Sequence, residues 1–174
     1  MSSTKWAYLL RHAEKDPNGS LTERGRSQAT ILRDKLPQFQ EIISSDSPRT
    51  IETAELITGR KPIVDPRCRH YVAPKAKSDF LNTLAKEKGI SFLEAVVELN
   101  DEEVNQGVEK KAVELNQLVD ELLRRTSDGQ NSLVVSHDLS ISPALAKRGI
   151  PLESIDYLCG YIINDSGKIQ KFTP

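Results

Sequence analysis

The chain has 174 residues, enough for one domain with a full hydrophobic core. Its 24 Lys and Arg against 25 Asp and Glu leave a formal net charge of -1. That balance excludes a broad basic surface, so neither nucleic acid nor anionic lipid is an expected partner, and any phosphate binding has to come from a local cluster of cations. The N-terminus has no basic flank followed by a long apolar run, and no stretch approaches membrane-spanning length, so the sequence predicts a cytoplasmic protein. The two cysteines, Cys68 and Cys159, are far apart and read as reduced thiols, with a single disulfide between them left open. No internal repeat or low-complexity segment is present.

In chain order, Lys5 to His12 reads as a strand whose apolar end, Tyr8-Leu9-Leu10, is followed at once by Arg11 and His12. Pro17-Asn18-Gly19-Ser20 is a loop. Thr22 is a candidate N-cap for a helix that runs to about Lys35 and stops at Pro37. Glu41 to Ser45 is a short strand. Ser47 as N-cap and Pro48 in the first turn announce a second helix, with Arg49 at its start and Gly59 at its end. Pro62 to Asp65 is a third strand candidate, followed by a loop from Pro66 to Pro74. Residues 77–100 read as two helical pieces split at Gly89, the second opened by a Ser91/Glu94 capping box. Asp101 to Arg125 is the clearest helix, with Val104, Val108, Ala112, Leu115, Leu118 and Leu122 at helical spacing. Asn131 to His137 is a buried strand ending in a second histidine and Asp138. A helix is expected from Ser142-Pro143 to Lys147, then a hairpin formed by Cys159–Ile163 and Ile169–Phe172. This alternation favours an α/β fold, a three-layer α/β/α sandwich on a mostly parallel sheet. The expected organisation is a single domain over residues 1–174, with a helical excursion at about 74–100 near the pocket.

Arg11, His12, Arg49 and His137 then share a location. Each lies just past the carboxyl end of a strand or in the first turn of the next helix, the rim where ligands bind in open α/β sheets. Two guanidiniums and a helix N-terminus suit a phosphoryl dianion. One neutral imidazole can attack phosphorus while the other donates to its oxygens, so phosphoryl transfer needs no metal or cofactor here.

Four blocks of the sequence resemble the histidine phosphatase superfamily, also called the phosphoglycerate mutase-like or RHG family. Leu10-Arg11-His12-Ala13-Glu14 resembles its Arg-His-Gly signature, with Ala13 in place of the usual Gly. Leu21-Thr22-x-x-Gly25-x-x-Gln28-Ala29 is similar to the second block, and Ser44-Ser45-Asp46-Ser47-Pro48-Arg49-Thr50 to the third. Val134-Val135-Ser136-His137 is similar to the fourth. The resemblance implies a phosphoglycerate mutase-like fold and a metal-independent phosphomonoesterase acting through a phosphohistidine at His12. The implied phosphate pocket is Arg11, Arg49 and His137 with Asn18, and with Ser20 or Leu21 as further contacts. The implied substrate is a small-molecule phosphate ester or a phosphoprotein. A mutase-like phosphotransferase and a weakly active or inactive phospholigand-binding module are the alternatives, and the oligomeric state is not set.

The chain departs from the family at the general acid. Members commonly carry Glu in a run such as Glu-Arg-His-Tyr-Gly, where this chain has Cys68-Arg69-His70-Tyr71-Val72. A thiol is a poor proton donor to an alkoxide. Asp138, directly after the second histidine, is the leading candidate for the acid, as in the acid phosphatase branch, and Glu14 is next. The loop residues Arg69, His70 and Tyr71 are as readily inert as substrate contacts.

Overall fold

The computed structural model describes residues 4–174, so the first three residues of the expected domain lie outside the described residues. Six strands form one sheet, β1 (Trp6–Arg11), β2 (Glu41–Ser44), β3 (Ile63–Val64), β4 (Asn131–Ser136), β5 (Gly160–Asn164) and β6 (Ile169–Phe172). Their order is β3-β2-β4-β1-β5-β6. The first four in that order run parallel, and β5 and β6 are added antiparallel. The sheet is thus mostly parallel, with a terminal hairpin on one edge.

Side-chain alternation along the strands builds two cores. Ala7 and Leu9 of β1, Ile43 of β2 and Val134 of β4 face one side, against α5 (Glu102–Arg125) and α6 (Asp138–Ala146). Leu10, Ile42, Leu133 and Val135 face the other, against α1 (Glu23–Arg33) and α2 (Pro48–Thr58). Period-two strands with a helix layer on each face give the three-layer sandwich. The excursion, α3 (Lys75–Lys88) and α4 (Phe92–Leu99), has its own apolar cluster, in which Leu81, Leu93 and Val96 meet Val104 of α5 and Leu139 of α6.

Local chemistry sets most boundaries. Thr22 caps α1 by accepting from the Gly25 N–H, and Ser91 and Glu94 form both halves of the capping box on α4. Gly59 and Gly89 end α2 and α3 in the left-handed conformation. Ser47 precedes α2 but makes no side-chain cap bond; its own N–H is turned back to Ser45 Oγ. Gly160 admits β5 against β1, since a Cβ there would sit 2.0 Å from the Leu9 carbonyl oxygen.

One boundary differs from expectation. The helix after β4 begins at Asp138 rather than Ser142, with Pro143 inside it. The main-chain N–H groups of Ser140 and Ile141 both reach the His137 carbonyl, at 3.0 and 2.9 Å, so the helix starts before the proline. Asp138 accepts from Ser142 Oγ at 2.9 Å, tying the first turn to the second. Proline removes one donor but does not stop a helix already nucleated upstream. The practical result is that His137 stands at the helix entrance, at the sheet rim. Among the described residues, no helix is long and apolar enough to cross a membrane.

Candidate active site

β4 lies between β1 and β2, and Arg11 is in register with Ser136. The chain after each of these strands therefore emerges at one place. The His12 N–H donates to the Ser136 carbonyl at 3.1 Å, which fixes the backbone entering both histidines. The His12 and His137 ring centroids are 5.3 Å apart. Both rings are almost fully buried.

Arg49, in the first turn of α2, bridges them. Its Nε donates to His12 Nε2 and its Nη2 to His137 Nδ1, each at 3.2 Å. Each imidazole must then carry its proton on the other nitrogen. His12 Nδ1–H donates to the Ala13 carbonyl at 2.8 Å. His137 Nε2–H donates to Ser45 Oγ at 2.9 Å, Ser45 in turn meets Thr50 Oγ1 at 2.7 Å, and Thr50 donates to the Ser47 carbonyl at 2.8 Å. This chain runs in one sense and leaves no donor facing a donor. Thr53 couples the two halves, accepting from the Ala13 N–H and donating to the Arg49 carbonyl.

Electrostatics keep the rings neutral. Burial, with Arg49, Arg11 and Lys15 nearby, pushes His12 down to about 3, against the opposing effect of its bond to Ala13. His137 is driven far down by burial first, then by His70, Arg49 and His12. A neutral imidazole with a fixed tautomer has its lone pair on a known nitrogen, which for His12 is Nε2.

Around these rings is a cavity of about 390 Å³ whose wall includes Arg11, Lys15, Arg49, His70 and Asp138. Arg11 is held from several sides: it donates to the Ile155 carbonyl, stacks 4.2 Å from the Tyr157 ring centroid, and has Nη1 4.0 Å from Asp138 Oδ2. Among the described residues, two buried side-chain nitrogens lack a hydrogen-bond partner, Arg11 Nε and His70 Nδ1. Both belong to this wall. Three cations against one carboxylate, with neutral imidazoles, give the wall a formal excess of two positive charges. A buried unpaired guanidinium N–H and excess positive charge in one cavity make an anion site. Among the described residues, no set of three or more His, Cys, Asp or Glu is arranged to hold a metal ion.

The residues singled out from sequence do not all reach this cavity. Arg11, His12, Arg49, His137 and Asp138 line it. Asn18 is exposed on the turn that Gly19 and Ser20 close onto Asp16, and it is not part of the wall. Glu14 is turned to α1, accepting from Thr22 Oγ1 at 3.0 Å and lying 3.7 Å from Arg24. Cys68 is sealed in the core, where burial raises its thiol pKa well above the usual range. Asp138 accepts from Ser142 Oγ, Ser154 Oγ and the Ile155 N–H, at 2.9, 2.6 and 2.9 Å.

Sequence reasoning did not single out Lys15, and it left His70 as readily inert as a substrate contact. His70 packs its ring 4.4 Å from that of His137, so all three histidines of the chain line one cavity. Burial, then Arg49, pushes His70 down to about 4, with Asp46 opposing. The scarcity of histidine was the available signal: a third copy in a chain that otherwise uses it only at the site.

The sequence profile described as histidine phosphatase superfamily (branch 1) matches residues 7–160. No curated protein matches the sequence. Among solved structures, the chain is similar to a phosphoglycerate mutase from Bacillus anthracis, with 20% identity, TM-score 0.69, and coverage of 99% of this chain and 93% of that one. It is similar to a mycobacterial glucosyl-3-phosphoglycerate phosphatase in complex with VO3, at 19% identity and TM-score 0.67, covering 97% of each chain. It is also similar to YhfR from Bacillus stearothermophilus, at 24% identity and TM-score 0.67, covering 96% of this chain and 95% of that one. At such identities the likeness is one of fold, and the six-stranded α/β architecture is phosphoglycerate mutase-like.

Proposed function

The chain belongs to the histidine phosphatase superfamily (branch 1), and we propose from its site that it is a metal-independent phosphomonoesterase working through a phosphohistidine at His12. The observation that carries this reading is the tautomer of His12. With Nδ1–H committed to the Ala13 carbonyl, the Nε2 lone pair lies among Arg11, Lys15 and Arg49 beside a second neutral imidazole. The substrate is a small-molecule phosphate ester or a phosphoprotein. The phosphatase and mutase among the similar folds support phosphoryl chemistry of this general kind. The unpaired thiols support a cytoplasmic setting.

In the proposed cycle, the phosphoryl dianion takes over the donors that Arg49 spends on the two rings, freeing His12 Nε2. That nitrogen attacks phosphorus, the ester P–O bond breaks, and its electron pair goes to the leaving oxygen, which takes a proton. Water then attacks phosphorus, the P–N bond breaks with its electron pair returning to His12 Nε2, and the water's proton restores the group that protonated the leaving oxygen, releasing inorganic phosphate and neutral His12. Arg11 Nε, which has no acceptor inside the protein, donates to a phosphoryl oxygen.

Asp138 was the leading acid from sequence, and it is the carboxyl group in the wall. With three donors on it and Arg11 beside it, every contact it makes treats it as an anion. We therefore assign Asp138 to holding Arg11 and the Ser154–Ile155 segment, and assign the proton to His70. Burial lowers His70 first, and Arg49 and Lys15 lower it further; a bound dianion offsets the two cations, so substrate binding raises its affinity for a proton by that part of the shift.

The test is hydrolysis of aryl and alkyl phosphates of graded leaving-group pKa by wild type, H12A, H70Q and D138N. His12→Ala should abolish both turnover and an acid-labile, base-stable phosphoenzyme. His70→Gln should hurt alkyl esters far more than aryl esters, and Asp138→Asn should hurt both alike. The reverse pattern would return the acid role to Asp138. A phosphoenzyme that passes its group to a second hydroxyl in preference to water would make the protein a mutase. Binding without turnover would make it a phospholigand module.

A further inference from the structure

The cavity has two unlike halves. Every charged side chain in its wall comes from the end of β1 and the loop after it (Arg11, Lys15) or from the first turn of α2 or α6 (Arg49, Asp138). The opposite half is built from residues 71–73, from the excursion and from Leu139 of α6, and it is uncharged. Tyr71, Val72, Phe92, Leu93 and Leu139 supply its apolar surface, and Ser78, Asn82 and Ser91 its neutral polar groups.

Lys77, Lys75 and Arg69, cations of the excursion and of the loop before it that are not in the wall, are held in ion pairs. Lys77 bridges Asp101 and Glu103 at 2.6 and 2.7 Å, Lys75 lies 2.9 Å from Asp79, and Arg69 lies 2.6 Å from Asp46. With the imidazoles neutral, the wall's formal excess of two positive charges matches one phosphoryl dianion, and the proton His70 takes up with the substrate is the one passed to the leaving oxygen. A second anionic group on the substrate would leave water for an uncharged surface with no cation to meet it.

Resting on the phosphomonoesterase reading above, we infer that this protein selects phosphate monoesters whose leaving group is uncharged and apolar, an aromatic alcohol above all, and discriminates against esters that carry a carboxylate or a second phosphate. Discrimination of this kind works by leaving the wrong substrate's charge unpaired, so it acts in binding and persists through the transition state. Phe92 and Tyr71 give a planar ring something to pack against, and the cavity has room for one ring beside the phosphoryl group.

The experiment compares kcat/KM within two matched pairs, phenyl phosphate against 4-carboxyphenyl phosphate and glycerol 3-phosphate against 3-phosphoglycerate. In the aryl pair the carboxylated phenol is the better leaving group, so intrinsic reactivity runs against the expected result. We expect the uncharged member to be preferred by about 10-fold or more in each pair. Asn82→Lys sets a cation on the exposed face of α3 at the edge of the uncharged half. It should narrow both ratios by about 10-fold through the carboxylated esters. Equal use of both members, a preference for the charged one, or an N82K variant that improves the uncharged esters as much as the charged ones would overturn the inference. If none of the four is turned over and no phosphate appears on His12, the phosphomonoesterase reading itself fails and takes this inference with it. Phosphoenzyme with a preference for carboxylated esters sinks the inference alone.

Discussion

Acidification should unfold this protein through its three histidines. All three line one cavity and are held neutral, His12 pushed down to about 3, His70 to about 4 and His137 further still. In the unfolded chain each regains the ordinary value of about 6.5. The unfolded state therefore binds more protons than the native state between these limits. The stability contributed by the neutral rings is fully present above about pH 6.5 and is lost as pH falls toward the native values. At pH 5.5 each unfolded imidazole gains about 1.4 kcal/mol from protonation that the native one forgoes, so three together cost about 4 kcal/mol relative to pH 7.5. That is a large share of the roughly 5–15 kcal/mol typical of a domain. Carboxylates titrate near pH 4 and hardly contribute above pH 5.5, so this window isolates the imidazoles. Urea unfolding at a series of pH values should show the slope of about three protons, and His70→Gln should reduce the loss by about a third. Histidine ring signals in NMR should stay those of neutral imidazole from pH 8 to 5.5. An imidazole titrating with a midpoint near 6.5 in the free protein, or stability that is flat across the window, would refute the reasoning.

Two further predictions concern single contacts. Arg49→Lys keeps the charge but cannot donate to both rings in the fixed fork geometry, so kcat/KM should fall about 100-fold; unaltered kinetics would mean that the bridge between the histidines is incidental. Gly107 lies inside α5, and a Cβ there would come within 2.2 Å of the Tyr71 ring. Although Gly→Ala in a helix interior normally stabilises by about 1 kcal/mol, Gly107→Ala should displace that ring, lower the melting temperature and raise KM for an aryl ester several-fold. A higher melting temperature with KM unchanged would show that Tyr71 is not held there by the gap.

The sequence by itself determined the scaffold and pointed to the candidate nucleophile. Strand alternation, the Thr22 and Ser91 caps and the glycine stops at Gly59 and Gly89 act over a few residues, so they are legible locally. Four ordered blocks marked His12, Arg49 and His137. The start of α6 was misjudged because Pro143 looks like a first-turn residue, whereas the helix is nucleated by bonds to the His137 carbonyl upstream of it. What only the tertiary structure decided is which partners each polar group meets. The donors on Asp138 include Ser154 and Ile155, sixteen and seventeen residues away, and these, with Arg11, set its character as an anion. Glu14 sits two residues from His12 yet turns toward α1. His70 enters the cavity because β4 brings His137 up against its loop, and the uncharged half exists because α3 and α4 fold over the rim. Short-range pattern fixes where a side chain leaves the backbone. Its charge state and its chemistry depend on desolvation and on groups brought near by packing, and those are properties of the folded whole.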